Sequence, residues 1–417
     1  ISYSTAGPGI KNTMSVQMSK KDQSFSPDAG LEHGINLLHQ VSFETENLPK
    51  KCPNSGIGEL KTLDLLAPHV LGRAARLDRS DVLAHMDPPT PWITWVAALW
   101  NASLNQNLLH PATSPFAIDA EKLVIEWLTP FFGMNGGHMC SGSTLANLTS
   151  LWAARDAVGI KRVVASKASH LSIKKSARIL GLTYEEIPTN SKGQIDSEQL
   201  KNISDACLVL TAGTTATGSI DSLKLAGQAK WTHVDAAWAG PLCLSPTHAH
   251  LLEGIEKADS VSVSAHKWFF QPKDSALVMF RDLKKANSAI SFGGGYLTSS
   301  NIGVQGSRGA AAIPLLATLI AWGRDGLVQR IDRTMLMAAK LAEKLSNKKR
   351  VALWALPTTG VTVFRPLTCS TDELQKRLPK GMFSTCILDD ENWLRSVAAN
   401  PLADIDEIIS IIDDEIY

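Results

Sequence analysis

Short β-rich runs alternate with helical or loop segments through the middle of the chain, and this pattern limits the fold more than any other feature. A helix is predicted over residues 171–180, between the first two runs. Alternation of this kind favours a mainly parallel sheet that is covered by helices on both faces. The runs span residues 162–165, 183–187, 208–211, 232–234, 260–263 and 276–280.

Different segments flank this region on its two sides. On the N-terminal side an amphipathic helix is predicted over residues 31–41. A helix over 120–129 leads into a glycine-rich turn at 133–137, and a further helix covers 144–158. On the C-terminal side a long helical stretch over 310–345 precedes mixed strands and helices, as in a small α/β lobe. With 417 residues, more than one domain or lobe is expected.

Charge and cysteine content narrow the classes of protein. The formal net charge of +1 gives no bulk attraction to nucleic acid or an anionic membrane, so neither partner is expected. The six cysteines form no Cys-x-x-Cys pair, and reduced thiols in a cytoplasmic protein are the simplest interpretation. No apolar run reaches the ~18 residues of a spanning helix, and residues 1–26 lack the apolar core of a signal peptide. His248 and His250 have no third ligand nearby, so no metal site is expected.

A lysine and an aspartate each follow a β-rich run. Asp235 directly follows the run 232–234, and Lys267 comes shortly after 260–263. Open α/β sheets bind ligands at these carboxyl ends of strands. The separation of 267 − 235 = 32 residues allows one crossover back into the same sheet. A lysine and a carboxylate placed so could bracket a pyridine ring, one taking an aldehyde carbon and the other the ring nitrogen. Taken separately, the lysine is more typical of a surface charge and the aspartate of a helix cap or turn.

Small hydroxyl residues follow two other elements. Ser143 and Thr144 stand at the start of the helix over 144–158, where backbone N–H groups, hydroxyls and the helix dipole can bind a phosphate. An ordinary helix cap is the alternative. The segment Gly213-Thr214-Thr215 follows the run 208–211 and adds a second hydroxyl-rich strand end.

Together these residues resemble the group II pyridoxal-phosphate decarboxylases. That family includes glutamate, cysteine sulfinate, aromatic amino acid and 2,4-diaminobutyrate decarboxylases. The resemblance covers roughly residue 87 to the C-terminus. Its most specific part is residues 233–240 (HVDAAWAG) followed by 264–268 (SAHKW), which is similar to the family's HVDAAxxG and HKW motifs in order and separation.

The resemblance implies an architecture and an assembly. The fold would be α/β, pyridoxal-phosphate fold type I as in aspartate aminotransferase, with a mainly parallel seven-stranded sheet, helices on both faces and a small C-terminal α/β lobe. Residues 1–85 would form an N-terminal segment that embraces a partner, 86–325 the large cofactor domain and 326–417 the small domain. The protein would be a homodimer with shared active sites.

The resemblance also implies a role for each matching residue. Lys267 would carry pyridoxal 5′-phosphate as a Schiff base, and Asp235 would keep the pyridine nitrogen protonated. Ala237 would pack on one face of the ring, and His170, in a segment similar to the family's HxSxxKA element, would stack on the other. The other cofactor contacts that the resemblance implies are Ser143, Thr144, Thr214, Ser264 and His266.

Two further matches concern the reaction. Tyr296 resembles the tyrosine of the family's mobile catalytic loop, which protonates the substrate Cα in the partner subunit's site, and the glycines at 293–295 favour a mobile backbone. A packed loop aromatic is the alternative. Arg395 stands in a segment that resembles the one through which glutamate decarboxylases bind a substrate carboxylate. A surface or interlobe ion pair is its alternative.

Other features bear on substrate and assembly. Residues 85–92 fall where the family lines its substrate entrance. Trp92, Trp95 and Trp100 recur at helical spacing, which indicates either core or a dimer interface. The sequence departs from the family's pattern at Leu145 and at 306–309, and these departures concern the substrate more than the cofactor.

The sequence therefore predicts a pyridoxal-phosphate enzyme that decarboxylates an L-amino acid to the amine and CO₂. Arg395 favours an acidic substrate such as glutamate, aspartate or cysteine sulfinate, with 2,4-diaminobutyrate next. Two alternatives stay open because fold and cofactor alone do not select a reaction. One is a carbon–carbon lyase or decarboxylating oxidase of the same fold type, and the other is a cofactor-binding protein without turnover.

Overall fold

The computed structural model of the protein describes residues 30–39, 44–295, 297 and 300–416. The described residues divide into two units, with the boundary between residues 76 and 77. The first contains the helices α1 (Leu31–His39) and α2 (Glu59–Val70). The second contains α3 (Trp92–Leu104), α4 (Pro115–Leu128), β1 (Gly136–Cys140), α5 (Ser143–Val158), β2 (Arg162–Ser166), α6 (Leu171–Ile179), β3 (Thr183–Ile187), β4 (Cys207–Thr211), β5 (Trp231–Asp235), β6 (Ser260–Ser264), β7 (Ala276–Phe280), α7 (Leu283–Ile290), β8 (Ser291–Phe292), β9 (Asn301–Ile302), α8 (Ala312–Ser346), β10 (Val351–Leu353), β11 (Val361–Pro366), α9 (Thr371–Arg377), β12 (Ser384–Leu388), β13 (Glu391–Val397) and α10 (Ile405–Glu415).

Seven strands form one mainly parallel sheet in the order β1-β7-β6-β5-β4-β2-β3. The pairings from β6 through β5, β4 and β2 to β3 are parallel, and β7 pairs antiparallel with both β6 and β1. All six predicted β-rich runs are strands of this sheet. The predicted α/β fold with a mainly parallel seven-stranded sheet is confirmed.

The seventh strand, β1, is where the sequence prediction was wrong. Gly136 and Gly137 were expected in a turn, but they begin an edge strand. A Cβ atom on Gly137 would lie 2.0 Å from the carbonyl oxygen of Val278 in β7. Glycine therefore allows β1 to approach β7 closely. Composition alone does not distinguish a glycine pair in such a strand from a glycine pair in a turn.

Both faces of the sheet are buried. Alternate strand residues such as Val163 and Val209 pack in one apolar cluster with α5, α6 and α7. The residues between them, such as Val164 and Leu208, pack in another with α4 and α8. Burial on both faces favours apolar residues at consecutive positions, as in β7 and in residues 207–210 of β4.

A second sheet lies in the C-terminal part of the chain. Its four strands are antiparallel in the order β10-β11-β13-β12. Phe364, Leu394 and Ile408 belong to an apolar cluster of their own there, together with residues of α8. The helix α8 has non-helical backbone angles at Gly323, so the stretch predicted as one long helix is two helices across a kink.

Helix α3 presents large apolar side chains to solvent. Trp92, Trp95 and Trp100 are 68%, 56% and 59% exposed, so the core alternative for these residues is wrong. Three exposed tryptophans on one helix are unusual for a surface that stays in water. Among the described residues, no helix has the length and apolarity that crossing a membrane requires.

Candidate active site

The carboxyl ends of β5 and β6 bring the predicted lysine and aspartate together. Asp235 is the last residue of β5, and Lys267 follows the end of β6 by three residues. Because these neighbouring strands are parallel, both ends lie at the same edge of the sheet. A cavity of about 300 Å³ opens there. The predicted site residues that line it are Ser143, Thr144, His170, Asp235, Ala237, Ser264, His266 and Lys267.

Lys267 extends into this cavity without a direct ion pair. Its amine makes no hydrogen bond or ion pair with any residue that the structure describes. Burial lowers the pKa of Lys267; Asp235 and Asp87 oppose this effect, and Lys273 and Arg395 add to it. The neutral, nucleophilic form of the amine is therefore favoured relative to a lysine in water.

Asp235 is buried and held at both carboxylate oxygens. Oδ1 accepts the backbone N–H of Ala237 at 3.1 Å, and Oδ2 accepts the side-chain amide of Asn147 at 2.9 Å. Only 3% of the residue is exposed. Two donors fix the plane of this carboxylate at the wall of the cavity.

His170 lies on another wall of the cavity, directly before α6. Its Nδ1 accepts the backbone N–H of Ser172 at 3.2 Å, which makes His170 the N-cap of that helix. Burial lowers the pKa of His170, and Lys267 lowers it further against the opposing effect of Asp235. A neutral ring is therefore favoured at this wall.

The N-terminus of α5 forms a third wall. Gly142 turns the chain at φ 152°, and it provides no side-chain cap. No side chain caps the first amides of the helix, and the helix dipole favours an anion there. The hydroxyls of Ser143 and Ser264 hydrogen-bond to each other beside this terminus. Gln305 accepts the backbone N–H of Ser141 at 2.9 Å and so holds the turn from outside.

Three threonines at and after the end of β4 occupy different positions. Thr211 and Thr215 line the cavity, as does Gly213 between them. Thr214 is fully buried, and its hydroxyl bonds to Thr217 at 2.9 Å and accepts the N–H of Ser219 at 3.1 Å. The structure thus directs the hydroxyl of Thr214 into its own turn, and its predicted contact with the cofactor stays a prediction.

Arg395 lies in β13, at the edge of the same site. It is buried, and it donates to the carbonyl oxygen of Thr215 at 2.8 Å and that of Ala84 at 3.2 Å. Its Nε donates to Ser384 at 3.0 Å. Burial lowers the pKa of Arg395. The surface or interlobe ion pair considered for this residue is absent among the described residues, where the guanidinium donates only to neutral oxygens.

Asp87 and Lys273 form an ion pair near Arg395, and we call these three residues the rim cluster. The Asp87 side chain is 37% exposed and that of Lys273 is 61% exposed. Burial raises the pKa of Asp87, and Lys273, His266 and His85 together outweigh this, so the pKa lies below its ordinary value. The charges of all three members act on Lys267. Tyr296, the predicted proton donor, lies outside the described residues.

Sequence reasoning missed several polar residues of the site. Asn147 follows Ser143 by one helical turn, a spacing that places both on one face of α5 and could have revealed it. Thr211 could have been found as the last residue of a buried strand. Asp87 lies within residues 85–92, which the resemblance places at the substrate entrance, although it was not singled out there. Gln305 carries no local signal, because it reaches the site from a distant part of the chain.

Comparison with known proteins identifies the class. The sequence model described as pyridoxal-dependent decarboxylase conserved domain matches residues 75–366. Together with the fold and the site, this match defines a pyridoxal-phosphate enzyme of fold type I. The chain belongs to the pyridoxal-dependent decarboxylase family, and it is a carboxy-lyase that acts on amino acids.

Relatives within this group differ in the substrate for which they are named. The aromatic-L-amino-acid decarboxylase of Bacillus atrophaeus is 26% identical, and the alignment covers 92% of each chain. The L-2,4-diaminobutyrate decarboxylase of Rhizobium meliloti (strain 1021) is 28% identical over 87% of this chain and 82% of the relative. Among solved structures, mouse CSAD in its apo form has a TM-score of 0.81 at 21% identity and covers 92% of this chain and 98% of its own.

The residues of the cavity fit pyridoxal phosphate. The hydroxyl Oγ1 of Thr211 is buried in the cavity wall and has no partner among the described residues. A buried polar atom of this kind indicates a group that the protein is built to bind. An amine, a carboxylate and an uncapped helix N-terminus surround the same space, and they match the aldehyde, the ring nitrogen and the phosphate of the cofactor.

Proposed function

We propose that this enzyme decarboxylates an L-amino acid with an acidic side chain, such as glutamate, aspartate or cysteine sulfinate, to the amine and CO₂. The single observation that carries the proposal is the position of Arg395. Its guanidinium is buried and donates a hydrogen bond to the carbonyl oxygen of Thr215, a residue that lines the cavity. A buried arginine beside a cavity is suited to bind a carboxylate, because its planar fork matches the two carboxylate oxygens.

The guanidinium of Arg395 keeps donors for a substrate. Arginine has five N–H groups. Three hydrogen bonds to described residues use one donor each on Nε, Nη1 and Nη2. Each terminal nitrogen therefore keeps one N–H that these partners do not use. Arg395 would thus be oriented by the protein and still able to bind a carboxylate.

The residues of the cavity would hold the cofactor as follows. Lys267 would hold it covalently through its amine, and Asp235 would accept the N–H of the ring nitrogen. Ala237 and His170 would contact the two ring faces. The bound cofactor supplies an electron sink for the carbon that loses CO₂. The residues proposed for its phosphate end are Ser143, Thr144, Ser264 and His266, with Thr214 beside the ring.

Tyr296 is proposed as the proton donor. Its phenol would deliver a proton to Cα after CO₂ has left. The support is the sequence resemblance and the adjacent glycines 293–295. Closure of this segment would exclude water and so suppress competing protonation.

A diamino acid such as 2,4-diaminobutyrate is the second candidate substrate, and Asp87 favours it. The Asp87 carboxylate acts electrostatically on both Lys267 and Arg395. A carboxylate at that place would attract a cationic side chain and repel an acidic one. Lys273 neutralises part of this charge and so weakens its repulsion of an acidic side chain. The acidic substrate therefore remains the first candidate.

We further propose a cytoplasmic homodimer with shared active sites. The exposed tryptophans of α3 support a protein interface, and the six cysteines are free thiols, as a reducing compartment requires. Within each subunit, residues 1–85 would embrace the partner, 86–325 would form the cofactor domain and 326–417 the small domain.

A substrate panel tests the proposed function. The purified protein, loaded with pyridoxal phosphate, would be given single L-amino acids of acidic, diamino and aromatic classes. CO₂ release and the organic product would be measured together, by carbonate trapping and mass spectrometry. Acidic substrates are expected to give the highest kcat/KM and an intact amine. Preference for the diamino acid would support the second candidate, and preference for an aromatic one would contradict both.

The product distinguishes the remaining alternatives. An aldehyde with consumption of O₂ would indicate an oxidase, and cleavage without CO₂ would indicate a carbon–carbon lyase. Sites shared between subunits can be tested by mixing Lys267→Ala with Tyr296→Phe chains. Random pairing would then restore about a quarter of the parental sites, whereas sites within one subunit would restore none.

A further inference from the structure

Asn147 is a fully buried amide at the centre of the site's polar contacts. Its Nδ2 donates to Asp235 at 2.9 Å and to Ser172 at 2.9 Å. Its Oδ1 accepts Ser262 at 2.6 Å and His233 at 2.9 Å. Both donors and both acceptor positions of the amide are therefore in use, and these five residues are called the floor network.

The chemistry of the partners fixes the orientation of this amide. The carboxylate of Asp235 can only accept a hydrogen bond, so the nitrogen of Asn147 must face it. With the amide reversed, two oxygens would meet at 2.9 Å in a fully buried place, which is strongly unfavourable.

The bonds that enter the network from β5 and β6 have one direction. Trp231 can only donate, and its Nε1 bonds to the hydroxyl of Ser260 at 2.9 Å. The proton of that hydroxyl then points to Nδ1 of His233, at 3.0 Å. Burial lowers the pKa of His233 to about 4, so the ring is neutral and its single proton is on Nε2, facing Asn147.

The bonds that leave the network continue in the same direction. Because Ser172 accepts from Asn147, its own hydroxyl proton points to Nδ1 of His170, at 2.8 Å. The backbone N–H of Ser172 donates to the same nitrogen. Nδ1 of His170 is therefore an acceptor, and the proton of the neutral ring is on Nε2.

We propose that Asn147 is a positioning residue, whose amide holds Asp235 in place as a hydrogen-bond acceptor for the cofactor's ring nitrogen and, through Ser172, fixes His170 as the Nε2–H tautomer. Fixed donors to both oxygens of a carboxylate hold it in one orientation. Asp235 receives two of them, and Asn147 provides the one that comes from a side chain. This inference rests on the proposed role of Asp235.

The substitution Asn147→Asp tests the proposal, because it keeps the volume and replaces the donor with an acceptor. We expect the dissociation constant of pyridoxal phosphate to rise about 10- to 100-fold, as for loss of a hydrogen bond to a charged group. With cofactor labelled with ¹⁵N in the ring, the ¹⁵N resonance should move from the protonated toward the unprotonated position. A purely structural role would leave that resonance in place in the fraction that binds cofactor.

Three other variants complete the experiment. Ser150→Ala removes a buried hydroxyl of the same helix that has no partner among the described residues, and it should behave as the parent. Ser172→Ala leaves the hydrogen bond from Asn147 to Asp235 in place, and it should therefore keep the parental ¹⁵N shift. Asp235→Asn gives the shift that follows loss of the acid itself. If Asp235→Asn leaves the shift unchanged, the proposed role of Asp235 fails, and the inference fails with it.

A parental dissociation constant and ¹⁵N shift in Asn147→Asp would overturn the inference on its own. If that variant does not fold, Asn147→Ser is read by the same two measurements, with the same expected directions and the same contrary outcome. No amino-acid substrate is used in any of these measurements. Failure of the proposed substrate class therefore leaves this test intact, and the reverse also holds.

Discussion

The floor network and the rim cluster lie at the same site and differ in how their polar groups are satisfied. In the floor network, Asn147 and His233 are fully buried, and Asp235 is 3% exposed. In the rim cluster the side chains of Asp87 and Lys273 are 37% and 61% exposed, and both signs of charge are present. The floor contains polar groups with fixed partners, whereas in the rim Asp87 and Lys273 are charges that water can screen and only Arg395 is buried.

This difference separates two tasks. A planar cofactor that stays in place requires fixed donors and acceptors, and a buried, fully bonded network provides them. A substrate side chain is a variable group, and under the proposed function it would meet the rim cluster, where Asp87 and Lys273 are partly exposed. Exchange of rim residues should therefore change the substrate with little effect on the cofactor, and exchange of floor residues should do the opposite.

The largest effect is expected at Lys267. Lys267→Ala should remove the adduct that borohydride reduction traps and lower kcat by at least on the order of 10³-fold, because the covalent hold on the cofactor is lost. Mass spectrometry of the reduced peptide gives the adduct, and CO₂ release gives the rate. The exposed Lys122→Ala serves as the control. Covalent trapping that persists at another lysine would contradict the assignment.

Arg395 should separate substrate from cofactor. Arg395→Ala should lower kcat/KM for an acidic substrate about 100-fold, the effect of truncating one partner of a buried charge pair. Cofactor affinity, measured by absorbance titration, should remain near the parental value. Arg365→Ala removes an arginine from the neighbouring strand β11 and should change neither quantity. Equal turnover of acidic substrates by Arg395→Ala would remove the basis for the acidic class.

The buried ring of His233 makes the stability of the floor network depend on pH. Burial lowers the pKa of His233 to about 4 in the folded protein, against 6.5 for the ordinary group. Between these values the unfolded chain binds a proton that the folded protein does not, so the free energy of unfolding falls as the pH falls. The loss attributable to this group is on the order of 3 kcal/mol.

The measurement for His233 is denaturant unfolding of the apoprotein at pH 6.5 and at pH 4. In His233→Gln the loss between these pH values should be smaller than in the parent by that amount. His250→Gln, on the surface, should keep the parental loss. If the free energy of unfolding of His233→Gln depended on pH in the same way as that of the parent, burial in the floor network would not disfavour the protonated form of His233.

The smallest effect is expected at Asp87. Asp87→Asn removes a charge that is partly exposed and already paired, so kcat/KM for acidic substrates should rise only several-fold, and that for 2,4-diaminobutyrate should fall by a similar factor. The ratio of the two values is the quantity to compare. A ratio that does not change would exclude Asp87 from substrate selection.

The contribution of the sequence to these conclusions can be seen in particular elements. The strands β4 and β5 are both buried at every position, but only β4, with apolar residues at 207–210, shows the apolar run that burial on both faces favours. Edge strand β1 was missed, since its glycines serve a close backbone approach that composition does not reveal. The positions of Lys267 and Asp235 followed from strand ends and one motif. The direction of the Thr214 hydroxyl did not, because it depends on the local turn.

What the sequence determined by itself is the type of fold and the position of Lys267 and Asp235 at strand ends, because both depend on short segments whose residues are near one another along the chain. Only the tertiary structure decided what surrounds them. Asn147 meets Asp235 across 88 residues, and Arg395 meets Ala84 across 311. No local pattern encodes such a pairing, since the donor and the acceptor are brought together only when the sheet, its helices and the C-terminal strands pack as one body.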